Sequence, residues 1–170
     1  MMRILLLPVA LLLAGFSFVP PHHDLAAGAP VFVPEDFFIG RTVGKGEIRG
    51  AFSGRTAVDE QGVGRVDGDG TLVLDQHVQR AGHPPEQRQW RIRKTGAGRY
   101  AGTLTDARGP VTAEVNGNCL HLRYTIAKGN LAADQYLYLQ AGGRVAINRM
   151  TVRRFGLTFA TVEETIRRVG

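Results

Sequence analysis

Arg65 to Gln76 contains Asp67-Gly68-Asp69-Gly70-Thr71-Leu72, which imitates the middle of an EF-hand calcium loop. That chemistry needs an acid at the first ligand position and a bidentate Glu at the last. Arg65 and Gln76 stand there instead, and both flanks alternate like strands, so the segment reads as a hairpin turn. Nucleophiles are equally scarce. Ser17 lies in the N-terminal apolar run, and Ser53, in Phe52-Ser53-Gly54, is not a nucleophile elbow. Cys119 and His121 share a strand face and form the one Cys/His pair available for thiolate chemistry; a small, semi-buried thiol accounts for Cys119 as well. Asp75 and His77 share a face in the same way and read as a hydrogen-bonded surface pair. His77, His83 and His121 lack close metal-ligand spacing, while His22-His23-Asp24 precedes the expected cleavage site discussed below. The neighbouring acids Glu35-Asp36, Asp59-Glu60 and Glu163-Glu164 would point to opposite faces if they lie on strands. No glycine-rich phosphate loop precedes a helix. We therefore expect a non-enzyme with no catalytic residue, no metal and no cofactor.

The elements behind these residues are short, alternating and bounded by glycine, the pattern of consecutive β-hairpins. Strands are expected at Gly46–Phe52, Thr56–Val66, Thr71–Arg80, Gln87–Lys94, Arg99–Asp106, Val111–Val115, Cys119–Ala127, Asp134–Gln140, Val145–Arg153 and Leu157–Arg168. Turn chemistry links them, for example Thr95-Gly96-Ala97-Gly98, Asn116-Gly117 and Gly142-Gly143. Trp90 and Ile92 share one face opposite Gln89, Arg91 and Arg93, and Leu120, Leu122, Tyr124 and Ile126 oppose Cys119, His121, Arg123 and Thr125. One apolar and one polar face per strand, repeated without a long amphipathic helix, predicts an all-β fold: an antiparallel up-and-down barrel of eight to ten strands. Its interior could admit one small ligand. In the entry segment, residues 30–42, Phe37 and Phe38 are expected to pack over one end of the fold. The last stretch, Thr161–Val169, also fits a helix, and strand is favoured.

The chain has 170 residues, 22 glycines, one cysteine and a net charge of +6, with only three lysines among 21 basic residues. Glycine at this level suits tight turns rather than a helical bundle. A single cysteine excludes an internal disulfide, so stability must come from core and ladder. A basic balance suits anionic lipid or polyanionic envelope polymers. Nucleic-acid binding by stacking would want aromatics on the basic face around Arg88, Arg91 and Arg93; Trp90 lies on the apolar face instead, so no nucleic acid is expected.

Met1-Met2-Arg3 followed by the apolar run Ile4 to Val19 reads as an export signal. The run is shorter than the roughly 20 residues a spanning helix needs, and Pro20-Pro21 breaks it. Residues 1–29 are thus expected to be a signal peptide, cleaved between Ala27 and Ala29, with retention as an inner-membrane anchor the alternative. Residues 30–170 then form one domain, periplasmic or secreted. Leu13-Ala14-Gly15 is what precedes the lipidated cysteine of bacterial lipoproteins, but Phe16 follows and has no thiol to acylate.

Phe37-Phe38-Ile39-Gly40, Trp90-Arg91-Ile92, Gly117-Asn118, Tyr124, Asp134 through Tyr138-Leu139, Asn148-Arg149-Met150 and Phe155-Gly156 follow in an order that resembles the bacterial domain-of-unknown-function family 3833. The resemblance spans Asp36 to Arg168. It implies a lipocalin-like envelope protein, often a lipoprotein, and supplies no catalytic residues. Phe16 departs from the lipoprotein pattern, and Thr42-Val43 stand where a tryptophan is expected near the first strand. The expected function is binding of a small apolar or amphipathic ligand such as a lipid, with Trp90, Tyr124 and Tyr136 lining the cavity. The alternative is an envelope structural or interaction protein that works through a basic outer surface against anionic membrane or envelope polymer.

Overall fold

The computed structural model describes residues 25–170. A short helix, α1 (Pro34–Phe38), precedes ten strands: β1 (Gly40–Gly50), β2 (Gly54–Val66), β3 (Leu72–Arg80), β4 (Glu86–Gly96), β5 (Arg99–Leu104), β6 (Val111–Asn116), β7 (Cys119–Ile126), β8 (Leu131–Leu139), β9 (Val145–Arg154) and β10 (Leu157–Val169). Each pairs antiparallel with its sequence neighbours, and β1 also pairs with β10, which closes the barrel. The up-and-down barrel read from the alternation is therefore the observed fold. Closure removes both sheet edges, so every strand finds its backbone partners inside one chain.

Two expectations shift. The first strand begins at Gly40 rather than Gly46, because β1 is paired along its length with both β2 and β10. Phe52 falls outside the strand, in the β1–β2 turn. The ambiguous C-terminal stretch is strand, held by β1 on one side and β9 on the other.

One end of the barrel is plugged. Phe32, Phe37 and Phe38 are buried and pack ring against ring, with centroids 4.9 to 6.3 Å apart. Tyr100 Oη donates to Glu35 Oε2 at 3.2 Å and ties α1 to β5. Beside the plug, Asn118 at the β6–β7 turn clamps the entering chain: its Oδ1 accepts from Ala27 N at 2.6 Å, and its Nδ2 donates to Leu25 O and Leu139 O. Leu25 to Ala29, the described part of the expected signal segment, thus lies against this turn; the apolar run itself and Phe16 lie outside the described residues.

The opposite end is open. The β1–β2, β3–β4, β5–β6, β7–β8 and β9–β10 connections surround the mouth. The wall there is uneven: β1, β2 and β10 have 11, 13 and 13 residues, whereas β5 and β6 have 6 each.

Candidate functional site

Alternation decides what faces the interior. From β3, β4 and β7, Leu72, Leu74, Trp90, Ile92, Leu120, Leu122 and Tyr124 point inward; from β8, β9 and β10 come Leu137, Met150, Val152, Val162 and Ile166. They do not fill the barrel. A cavity of about 710 Å³ remains between the plug and the mouth. That volume falls within the range of small-molecule sites.

A belt of polar side chains crosses this apolar wall. Trp90 Nε1 donates to Gln76 Oε1 at 2.6 Å, and Gln76 Nε2 donates to Glu60 Oε1 at 2.6 Å. On the far side of β1, Asn148 Nδ2 donates to Glu164 Oε2 at 3.0 Å. Glu60 and Glu164 face one another across Gly44, which pairs with Glu60 and has no side chain to separate them. The belt thus runs through β4, β3, β2, β10 and β9. Glu164 Oε1 and Asn148 Oδ1 are buried and accept no hydrogen bond among the described residues.

Nearer the mouth, Arg88 Nε donates to Asp106 Oδ1 at 3.1 Å, and its guanidinium lies 5.8 Å from the centre of the Trp90 ring. Trp90 meets Tyr124 edge-on at 5.3 Å, and Tyr124 Oη donates to Gln135 Oε1 at 3.1 Å. Burial pushes the Tyr124 hydroxyl above its ordinary value, against the pull of Arg88.

The two carboxyls are the chemically unusual members. Burial, reinforced by Glu164 and opposed by Arg88 and the Gln76 hydrogen bond, raises Glu60 to about 8. Burial also raises Glu164, with Asn148 and Arg88 opposing it. Glu60 is therefore a neutral acid at neutral pH, able to donate as well as accept. A ligand with hydroxyl or amine donors could bond the open oxygens of Glu164 and Asn148 while its apolar body lies against the leucines.

This gives a stability expectation with a definite sign. The unfolded chain loses the Glu60 proton at an ordinary value of 4.5, the folded barrel at about 8. Between these values the folded state alone holds the proton. Its contribution is complete below the lower value and is lost as pH rises through the upper one. Glu60→Gln, which resembles the neutral acid, is expected to come close to the parent in urea unfolding near pH 5 and to exceed it by about 4 kcal/mol near pH 9. A parent whose stability is flat over that range overturns the assignment.

Of the residues expected to line the cavity, Trp90 and Tyr124 do so and Tyr136 does not. Tyr136 stands on the other face of β8, stacked on His121 with ring centroids 4.1 Å apart. The reason is parity: Gln135 and Leu137 point inward, so Tyr136 between them must point out. His121 is 3.3 Å from Asp134, not on Cys119, whose thiol burial pushes up. Asp75 bonds Arg65 and Gln89 rather than His77. The Asp67-Gly68-Asp69-Gly70 segment is the β2–β3 turn, with Asp69 Oδ1 accepting from Thr71 N. Among the described residues, no group of three or more His, Cys, Asp or Glu is placed to hold a metal ion.

The belt itself was missed by sequence reading. Its signal was present: neighbouring acids on a strand must send one inward, and Arg88 has the same parity as Trp90. Arg88 therefore belongs to the interior and not to the basic exterior in which it was grouped with Arg91 and Arg93.

A closed ten-stranded barrel, plugged at one end and open over a cavity at the other, defines a lipocalin-like protein. Within that class the chain belongs to the family described as "Protein of unknown function (DUF3833)", whose model matches residues 10–168. No curated protein matches the chain. Among solved structures it is similar to the S-type phycobiliprotein lyase CPES from Guillardia theta, with a TM-score of 0.63, 6% identity, and coverage of 78% of this chain and 88% of that one. It is also similar to the protein EF1p2_mFAP2b, solved bound to DFHBI, with a TM-score of 0.46, 11% identity, and coverage of 78% and 94%. The likeness to the lyase, at this identity, establishes a shared fold and no more.

Proposed function

We propose that this protein is an exported, non-enzymatic binder of one small amphipathic, lipid-like ligand, held inside the barrel. The observation that carries the proposal is the open cavity of about 710 Å³, apolar along its walls and crossed by one polar belt with unused acceptors. An apolar body would be held by burial and its polar head by Glu60, Glu164 and Asn148. That a barrel of this fold was solved as a phycobiliprotein lyase agrees with a ligand-handling role. Export rests on the apolar run Ile4 to Val19, and Phe16 leaves no thiol for lipidation, so the protein would be periplasmic or secreted.

A barrel that served only as a basic outer surface would gain from a filled interior, because unfilled volume forfeits packing contacts. The cavity therefore favours the binder. The test is native mass spectrometry of gently purified protein, paired with Trp90 fluorescence against a panel of fatty acids and phospholipids. Trp90 lines the cavity and is the sole tryptophan, so an occupying ligand is expected to shift its emission. No co-purifying mass together with an indifferent Trp90 would sink the proposal.

A further inference from the structure

The mouth of the barrel carries apolar side chains that the fold does not use. Phe52 is 96% exposed at the β1–β2 turn and Phe155 is 92% exposed at the β9–β10 turn, with Leu157 and Phe159 exposed beside it. These two hairpins are adjacent around the barrel, because β1 pairs with β10, and Ala51 N donates to Phe159 O at 2.9 Å between them. The four side chains thus form one patch on the taller side of the wall. Phe159 also lines the cavity, so the patch continues into it.

Phe155 is held at φ 50°, in the left-handed region, followed by Gly156 at φ 79°. That turn favours Asn or Gly at both positions. A bulky aromatic there is strained and makes no buried contact that would offset the strain, which points to selection for something outside the barrel. Cations accompany the patch. The Arg154 guanidinium lies 5.3 Å over the Phe155 ring, and Arg154, Lys128 and Arg108 have no carboxylate partner among the described residues. The rim carboxylates Glu86 and Asp106 are already engaged by Arg80 and Arg88.

We propose that the mouth of the barrel docks on an anionic lipid bilayer, with Phe52 and Phe155 entering the headgroup region and Lys128, Arg108 and Arg154 meeting phosphates. Exposed aromatics flanked by unpaired cations match that surface in both apolar and electrostatic character. The proposal deepens the ligand-binding reading and rests on it for its purpose: a lipid could pass between bilayer and cavity without crossing water.

The test is flotation with vesicles of phosphatidylglycerol and phosphatidylcholine in equal parts, using the full chain. Phe52→Ser with Phe155→Ser is expected to weaken binding by about 100-fold, roughly tenfold for each ring withdrawn from the interface. Lys128→Glu with Arg154→Glu is expected to weaken it by at least about 25-fold, about fivefold for each cation removed. Because the N-terminal apolar run is common to all these chains, a second readout isolates the tip: in a Trp90→Phe background, which removes the cavity's own indole, Phe155→Trp emission should be quenched by brominated lipid in the vesicles. Double-serine protein that floats like the parent, or Phe155→Trp emission untouched by brominated lipid, overturns the proposal. Equal binding to pure phosphatidylcholine overturns its anionic part. Uptake of a fluorescent fatty-acid analogue from solution separates the two readings. Retained uptake with lost vesicle binding in the double-serine variant supports docking, whereas a parent that takes up no analogue overturns the cavity reading alone.

Discussion

Val162→Trp is expected to close the cavity to a fluorescent fatty-acid analogue while leaving the barrel folded. Val162 sits on β10 between Ile48 of β1 and Met150 of β9, and its side chain faces the open volume. Adding an indole to a filled core would force neighbours from their rotamers at a cost of about 1–3 kcal/mol. Here the ring enters empty space and gains contacts, so stability in urea should change by less than about 1 kcal/mol. The analogue, by contrast, must compete with a side chain that cannot leave. A loss of affinity of at least about 100-fold, near 3 kcal/mol, is expected in fluorescence titration. Leu122→Trp narrows the same space from β7 and should act alike, which guards against a local failure at one site. Two folded variants that bind the analogue as the parent does would place the ligand outside the barrel.

The barrel was legible because the information lay in short-range periodicity. A strand with one face inside and one outside must alternate, and eight residues such as Cys119–Ile126 carry the pattern with little ambiguity. Trp90 and Tyr124 followed from the same parity. Tyr136 failed because β8 is apolar on both faces: Leu137 and Leu139 are buried inward, and Tyr138 is buried on the outward side. Aromatic character alone could not tell its faces apart. The polar belt was hidden for a different reason. Reading polar residues as outward is a sound rule for a filled core, where an unpaired charge is prohibitive. It breaks down in a barrel that keeps a cavity, since Gln76, Glu60 and Glu164 can bond around the wall and share what space remains. In the same region the expected first strand began only at Gly46, whereas Gly44 and Gly46 both lie in mid-strand.

Those glycines give the other large effect, and their neighbours predict that they will behave differently. A side chain at Gly46 would point inward against β10, meeting the Glu163 carbonyl and lying 2.6 Å from the Glu164 Cα, both backbone. Real Cβ atoms do not approach backbone so closely, and a paired strand on each side of β1 leaves no direction in which to yield. Gly46→Ala is expected to cost more than about 3 kcal/mol in urea unfolding, although alanine in an unobstructed strand would be worth about 0.5–1 kcal/mol in its favour. At Gly44 the obstruction is chiefly the Glu164 carboxyl, with Glu60 Cβ 3.2 Å away. A carboxyl end can rotate where backbone cannot. Gly44→Ala should therefore fold, lose less than half as much stability as Gly46→Ala, and swing Glu164 away from Asn148. Because that movement also changes how Glu60 and Glu164 face each other, the fall in stability at alkaline pH should shift its midpoint in Gly44→Ala. Equal stability of Gly46→Ala and the parent would show that β1 and β10 do not approach as closely as their register places them. An unmoved alkaline midpoint in Gly44→Ala would separate Glu164 from the titration of Glu60.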